Sequence, residues 1–122
     1  MLRSLLVLCL ITVASPALAQ DYQSKELADA ARDWRQQLID SIPANKKQPG
    51  LVAGLRRMAD ADYHAKRYAP AIDELTRAIA NGADDGLVWL QLAQNEVAAE
   101  GDHAMASAYN AYLKSTDPVD FR

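Results

Sequence analysis

The 122-residue sequence has a single cysteine, Cys9, and no stretch in which Val, Ile or Thr alternates with polar residues. Without such alternation β-strands are not expected, whereas the abundant Ala, Leu, Gln, Glu, Lys and Arg favour helix. Cys9 lies in an N-terminal segment that we expect to be removed, so the remaining chain would have no disulfide, thiolate nucleophile or cysteine metal ligand. Its stability must then come from the packing of helices.

A concentrated basic face is also absent. The chain has 13 Lys and Arg against 16 Asp and Glu, for a formal net charge of −3, and the two signs are interleaved. Lys46-Lys47 and Arg56-Arg57 are isolated pairs rather than a patch. Because nucleic-acid binding needs clustered cations that displace counterions from phosphates, this composition argues against nucleic acid as a partner.

Residues 1–19 have the three parts of a secretory signal peptide. Arg3 supplies the charged start, residues 5–14 form a short apolar run, and Ala17-Leu18-Ala19 gives an A-x-A cleavage site. The run is shorter than the ~20 residues needed to cross a bilayer, so we predict cleavage after Ala19 and no membrane insertion afterwards. A bacterial periplasmic or secreted protein of about 100 residues, enough for one domain, is expected to remain.

The first predicted helix runs from about Ser24, which can cap it, to Ile42, where Pro43 stops it. Its apolar stripe consists of Leu27, Ala31, Trp34 and Leu38. A polar loop with two prolines and a glycine follows over residues 43–50. We expect this helix to cap one end of the fold and the loop to act as a linker.

Pro70 decides how the next segment folds. In one helix from Leu51 to Ala80 it would remove an interior hydrogen bond and clash with the preceding turn, at a cost of ~3 kcal/mol. In the first turn of a new helix that starts at about Ala69, its missing amide is one that lacks a helical partner in any case. The chain is therefore predicted to reverse over residues 65–68, and Pro70 marks a helix start.

Stop and start signals define the remaining helices. Gly82 suits the left-handed position just past the end of the third helix. Asp84 and Asp85 can cap the fourth, and Gly101-Asp102 closes it. The prediction is an all-α fold of about five helices, with residues 20–50 as N-terminal helix and linker, 51–118 as two helical hairpins and 119–122 as a tail.

The two hairpins form an internal repeat. At a shift of 34 residues, Leu55, Met58 and Ala59 fall on Trp89, Leu92 and Ala93. This pattern of small and bulky positions resembles the tetratricopeptide repeat (TPR), over about two thirds of the mature chain. The resemblance implies a short α-solenoid. Its core positions are Leu55, Met58, Ala59, Ala71, Leu75, Ala78, Trp89, Leu92, Ala93, Tyr109 and Leu113.

The register of the last helix has two alternatives. With one inserted residue the core markers are Ala106, Asn110 and Leu113; without it they are Met105, Tyr109 and Tyr112. The first buries an asparagine, and the second puts a large ring where a small residue belongs. We expect Tyr109 and Leu113 to face inward and leave the register open.

The TPR resemblance also implies a concave groove lined by the first helix of each hairpin. Its residues here are Arg56, Asp60, Tyr63, His64, Leu87, Leu90, Gln91 and Gln94. Some TPR proteins clamp a peptide carboxylate with Lys and Asn on this face, but Asp60 replaces that Asn. The function that the resemblance implies is binding of a protein or peptide, without catalysis.

No motif indicates a reaction, a metal or a cofactor. His64 and His103 lie far apart without an HExxH pattern, and the glycines form no phosphate loop. Asp60 and His64 are four residues apart on one helix face, but no nucleophile accompanies them. We therefore predict a protein that is not an enzyme and carries no cofactor or metal.

A second resemblance gives the alternative. The order of signal peptide, Trp-containing helix, NGADDGLVWLQLA and AYNAYLKSTDP is similar to the region ahead of the macroglobulin domains in bacterial α2-macroglobulin-like proteins, which trap proteases. It implies a structural N-terminal region, or fragment, of a larger envelope protein. Phe121 then resembles the start of a further helix. The ligand and oligomeric state stay open.

Overall fold

The computed structural model describes residues 16–116, with side-chain surroundings for residues 25–115. Within these residues the fold is all-α and contains no strand, which confirms the predicted class. The helices are α1 (Pro16–Asp40), α2 (Val52–His64), α3 (Tyr68–Ala80), α4 (Gly86–Ala98) and α5 (Ala104–Thr116). The loop after α1 contains two 3₁₀ turns, Ala44–Lys46 and Pro49–Leu51.

The start of α1 differs from the prediction. The helix begins at Pro16, so Ser24 lies inside it and does not cap it, and it ends at Asp40 rather than Ile42. Pro16 suits a first helical position because it needs no amide donor there, and no breaker follows until Pro43. The rest of the predicted signal peptide, with Cys9, and the predicted tail lie outside the described residues.

The helices pack as two hairpins with α1 laid across them. Helices α2 and α3 form the first hairpin, α4 and α5 form the second, and α3 contacts α4. The main contacts of α1 are with α5 and α3, the second helices of the two hairpins. The expectation that α1 caps one end of the array is therefore wrong: α1 covers the side of the array that α3 and α5 form.

Trp89 is fully buried at the centre of the core. The core cluster consists of Leu38, Leu55, Ala59, Ala71, Leu75, Ala78, Ile79, Ala83, Val88, Trp89, Leu92 and Ala111. Two predicted core residues are instead exposed, Met58 at 55% and Leu113 at 43%, and Tyr109 is half-buried. Met58 is equivalent to the buried Leu92, but α2 has no described hairpin packed in front of it, as α4 has.

In α5 the first predicted alternative is right for Ala106 and Asn110, which are buried, and wrong for Leu113. The second alternative is wrong, because Met105 and Tyr112 are exposed. Residues 65–67 connect the first hairpin and residues 99–103 the second, so α5 begins 36 residues after α3. Helix α5 consequently buries Ala106, Ser107, Asn110 and Ala111, all small or polar. At this shift Ser107 replaces Ala71, and Ala111 replaces Leu75. The space left by smaller side chains is where α1 packs.

Three helices end in the same left-handed turn. Lys66 (φ 61°), Gly82 (φ 118°) and Glu100 (φ 57°) follow the C-caps of α2, α3 and α4. In each turn the next amide donates to the carbonyl oxygen five residues earlier, as when Arg67 N donates to Asp62 O at 2.7 Å. The predicted reversal over 65–68 and the role of Gly82 are confirmed, and Pro70 lies in the first turn of α3.

Loop residues also tie helix ends together. Lys47 Nζ donates to Ile39 O at 2.6 Å and to Ala80 O at 2.7 Å, so one ammonium group binds the C-terminal ends of α1 and α3. Asp85 caps α4 as predicted by accepting from Val88 N at 2.9 Å. The segment predicted as a linker is thus anchored to the hairpins.

Asp84 accepts hydrogen bonds from two helices and lies close to a cation on a third. Arg35 of α1 donates through Nε at 2.8 Å and also through Nη2, and Trp89 of α4 donates its Nε1–H at 2.8 Å. Lys114 Nζ of α5 lies 3.3 Å from the same carboxylate. Burial alone would raise the pKa of Asp84, but the hydrogen bonds from Arg35 and Trp89 and the two positive charges outweigh it and lower the pKa. We call these four residues the Asp84 cluster.

Replacing Asp84 by asparagine keeps the side-chain shape but leaves Arg35 and Lys114 without their counter-ion. We expect Asp84→Asn to lower the free energy of unfolding at pH 7 by about 2–4 kcal/mol. Because the native pKa lies below the ordinary value of 3.8, the stabilisation is present above that value and is lost as pH falls through the native pKa. Urea titrations followed by tryptophan fluorescence should therefore show a smaller difference at low pH.

The matched control is Asp33→Asn, which removes a carboxylate that is 75% exposed on α1. It should change stability by less than about 0.5 kcal/mol. Equal losses in Asp84→Asn and Asp33→Asn, or a loss that does not shrink in acid, would contradict the role given to the Asp84 cluster.

The left-handed turn at Glu100 gives a second prediction. A glycine adopts this backbone conformation without strain, so Glu100→Gly should raise the free energy of unfolding by about 0.5–1 kcal/mol. Lys66→Gly should raise the free energy of unfolding by a similar amount, because the φ of Lys66 is close to that of Glu100. In contrast, Ala61→Gly on the exposed face of α2 should lower the free energy of unfolding by about 0.5–1 kcal/mol. A loss of stability in both turn variants would refute this account.

Candidate functional site

A small cleft lies between α2 and α4. Its volume is about 80 Å³, and Ala59 and Leu75 give it an apolar part. The polar and aromatic lining consists of Asp60, Tyr63, His64, Gln91, Gln94 and Asn95. Five of the eight residues predicted for the groove therefore come together here, because positions 34 residues apart on α2 and α4 face the same side.

Asn95 is the residue of this cleft that the sequence did not single out. Its side chain is 2% exposed, and its Nδ2 donates to Gln91 O at 2.9 Å. Its Oδ1 is buried and has no hydrogen-bond partner among the described residues. A buried acceptor without a partner costs about 1–3 kcal/mol. Because Oδ1 has essentially no accessible surface, a donor that enters the cleft recovers this free energy only when a lining side chain shifts to admit it.

Asp60, His64 and Tyr63 form the α2 side of the cleft. His64 Nδ1 lies 2.8 Å from the carbonyl oxygen of Asp60 and 3.6 Å from its carboxylate. Both side chains are more than half exposed, so this is a solvated contact. The Tyr63 ring meets His64 and Tyr68 edge-on, with centroids 5.6 and 6.0 Å apart, so α2 presents an aromatic wall.

The other three predicted groove residues lie elsewhere. Arg56 Nη1 donates to Asp85 at 2.6 Å and so joins α2 to the N-terminus of α4. Leu87 and Leu90 belong to a second, wider groove. The predicted groove is therefore two separate surfaces, because Leu87 and Leu90 lie on the side of α4 that borders α5.

The second groove, of about 610 Å³, lies between α4 and α5. Leu87, Leu90 and Tyr112 are exposed on it, next to Ala108 and Ala111. We call these five residues the end face. Leu90 is equivalent to Arg56, the residue through which the first hairpin binds Asp85 at the N-terminus of α4.

A buried polar chain joins α1 to the second hairpin. Trp34 Nε1–H donates to Ser107 Oγ at 3.0 Å, and Ser107 donates to Glu96 Oε1 at 2.5 Å. The His103 ring stacks on Trp34 with centroids 3.6 Å apart. Burial raises the pKa of Glu96, although the bond from Ser107 opposes this. Ser107 thereby connects Trp34 of α1 to Glu96 of α4.

Asp62 and Glu74 form a carboxyl pair between α2 and α3. Burial, the hydrogen bond with Asp62 and the charges of Asp62 and Asp73 raise the pKa of Glu74 to about 7, while the charge of Arg67 opposes this. Hydrogen bonds from Glu74 and from Arg67 lower the pKa of Asp62. Glu74 therefore holds the shared proton at moderately acid pH.

No protein-family model, curated protein or solved structure matches this chain. None of the helices in the described part of the chain has both the length and the apolar character that a bilayer crossing requires. Nor do residues 16–116 bring three or more His, Cys, Asp or Glu side chains together for a metal ion.

The carboxyl pair predicts an unusual dependence of stability on pH. The native pKa of Glu74, about 7, lies above the ordinary 4.5, so its stabilisation is present below the ordinary value and is lost as pH rises through 7. Glu74→Gln mimics the protonated form. We expect this variant to exceed wild type in free energy of unfolding at pH 8 by about 1–3 kcal/mol, with a smaller difference at pH 5.

Chemical denaturation at both pH values measures this difference. Glu26→Gln, on the exposed surface of α1, is the control and should keep the pH dependence of the wild type. If Glu74→Gln also keeps the pH dependence of the wild type, Glu74 is ionised at both pH values and the account of the carboxyl pair is wrong.

Proposed function

We propose that this protein is a non-catalytic, exported TPR-like helical module that binds a protein or peptide in the bacterial periplasm. The observation that carries the proposal is the cleft between α2 and α4, in which a buried amide oxygen of Asn95 has no partner. A concave site with an apolar floor and a few convergent polar groups is the usual form of a binding pocket.

The lining chemistry favours a peptide. Gln91 and Gln94 carry amides that can both donate to and accept from a peptide backbone. Tyr63 offers a rigid aromatic surface of the kind enriched at binding hot spots. Ala59 and Leu75 leave room for one small group rather than for a cofactor.

The same residues support binding without catalysis. Asp60 and His64, the carboxylate and the imidazole of the cleft, are exposed and contact each other. A general base needs a nucleophile or substrate proton within hydrogen-bond reach, and no Ser, Thr, Cys or Lys lines the cleft. Export is supported by the signal-peptide pattern of residues 1–19, after which α1 would begin at Gln20.

A second candidate is a structural N-terminal region of a larger envelope protein, such as an α2-macroglobulin-like protease trap. The end face favours it, because Leu87, Leu90 and Tyr112 are exposed where a further hairpin would stack. Repeat arrays bury such faces against the next unit. In this candidate the end face, and not the cleft, carries the main contact.

Selection of displayed random peptides on the purified protein tests the first candidate. Peptides that bind the cleft should lose affinity by about tenfold or more in Gln94→Arg, which fills the rim with a long side chain. Gln94 is exposed, so the fold should not change. Gln37→Arg on α1, where the glutamine is also exposed, is the matched control and should bind as wild type does.

The outcome also separates the two candidates. Peptides that tolerate Gln94→Arg but fail to bind Leu90→Glu would identify the end face as the binding surface and favour the second candidate. No enriched peptide, or equal loss in Gln94→Arg and Gln37→Arg, would rule out peptide binding in the cleft.

A further inference from the structure

We propose that the cleft between α2 and α4 binds a primary ammonium group, presented as a lysine side chain of the partner peptide. This inference rests on the proposed function and names the ligand chemistry of that site. Its first support is Asn95 Oδ1. This atom can only accept, its orientation is set by the bond from Nδ2 to Gln91 O at 2.9 Å, and it has no described partner. The missing partner is therefore a donor.

The charge around the cleft supports a cation. Asp60 is the carboxylate that lines it, and no Lys or Arg does so. The neighbouring guanidinium groups are engaged outside it, Arg56 with Asp85 and Arg67 with Asp62. A carboxylate ligand would face both Asp60 and the Asn95 oxygen, whereas an ammonium group would be attracted to both.

The size and surface of the cleft select a lysine stem. About 80 Å³ admits a short chain of methylenes but no bulky ring. Ala59 and Leu75 offer apolar contact for those methylenes, and Tyr63 presents an aromatic ring to a nearby cation. A lysine side chain can thus bury its stem and direct its N–H donors to Asp60 and, once a lining side chain shifts to uncover it, to Asn95 Oδ1.

The probe is Nα-acetyl-lysine methylamide, titrated into the purified ¹⁵N-labelled protein and followed by NMR shifts of the Asn95, Gln94 and Tyr63 signals. We expect saturable binding with a dissociation constant in the millimolar range. Nε-acetylation of the probe, or its replacement by the norleucine analogue, should weaken binding about tenfold or more.

Two variants remove the acceptors separately. Asp60→Asn, at an exposed position, should weaken binding of the lysine probe about two- to fivefold. Asn95→Leu, of similar size, should weaken it about tenfold or more. Asp73→Asn removes an exposed carboxylate that pairs with Arg77 on α3 and is the matched control. It should bind the probe as wild type does.

Each alternative has its own result. Equal binding of the norleucine analogue would show an apolar site and overturn the proposal, as would no binding of the lysine probe. If a free peptide N-terminus binds the cleft and the lysine probe does not, the ammonium group of the ligand is an N-terminal amine, and its assignment to a lysine side chain is wrong. If peptides selected in the cleft bind regardless of lysine, this inference fails while the proposed function stands; if no peptide binds the cleft, both fail.

Discussion

The carboxylate of Asp84 is the point at which the helices are held in register. Trp89 can be fully buried only if its indole N–H finds an acceptor, and Asp84 supplies one at 2.8 Å. A partly buried carboxylate in turn needs cations, which reach it from α1 as Arg35 and from α5 as Lys114. Since Asp84 lies in the loop between α3 and α4, one side chain links both hairpins and the helix laid across them. The hydrophobic core is thereby given a single arrangement.

The position of α1 determines which surfaces stay available. By packing on α3 and α5 it covers the second helix of each hairpin, with Leu38 in the core and Trp34 bonded to Ser107. Asn110 strengthens this contact by donating to the Ala31 carbonyl at 2.9 Å. The cleft lies instead between the first helices, α2 and α4. Covering one side thus preserves a concave surface on the other.

Local signals in the sequence predicted most of the fold. Pro70 and Gly82 marked helix ends for stereochemical reasons that do not depend on the rest of the chain. The register of α5 was left open between two alternatives, and neither included Ser107, which like Asn110 is buried by a hydrogen bond with α1, far away in sequence. Hydrophobic periodicity favours Leu113 over such residues, yet a polar side chain is readily buried once its hydrogen bonds are made.

The candidate site could likewise be predicted only in part, because some of its features depend on contacts between helices that are distant in sequence. The equivalence of α2 and α4 placed Asp60 beside Gln94, since it follows from the repeat alone. It could not show that Asn95 is buried with an oxygen left unpaired, which depends on how α3 packs against α4. Nor could it separate the end face from the cleft, because both were assigned to one groove.

Helix α4 connects the two surfaces. Leu87 and Leu90 lie on one side of it, and Gln91, Gln94 and Asn95 on another, a separation that the angle of about 100° per residue imposes. Asp85 fixes the N-terminus of this helix by capping it and by binding Arg56 of α2. The two surfaces therefore share one rigid support. Their chemistry differs: the end face is apolar and can be covered by any complementary helix, whereas the cleft has an acceptor that only a donor satisfies. The end face can contribute affinity, but selectivity for a particular ligand has to come from the cleft.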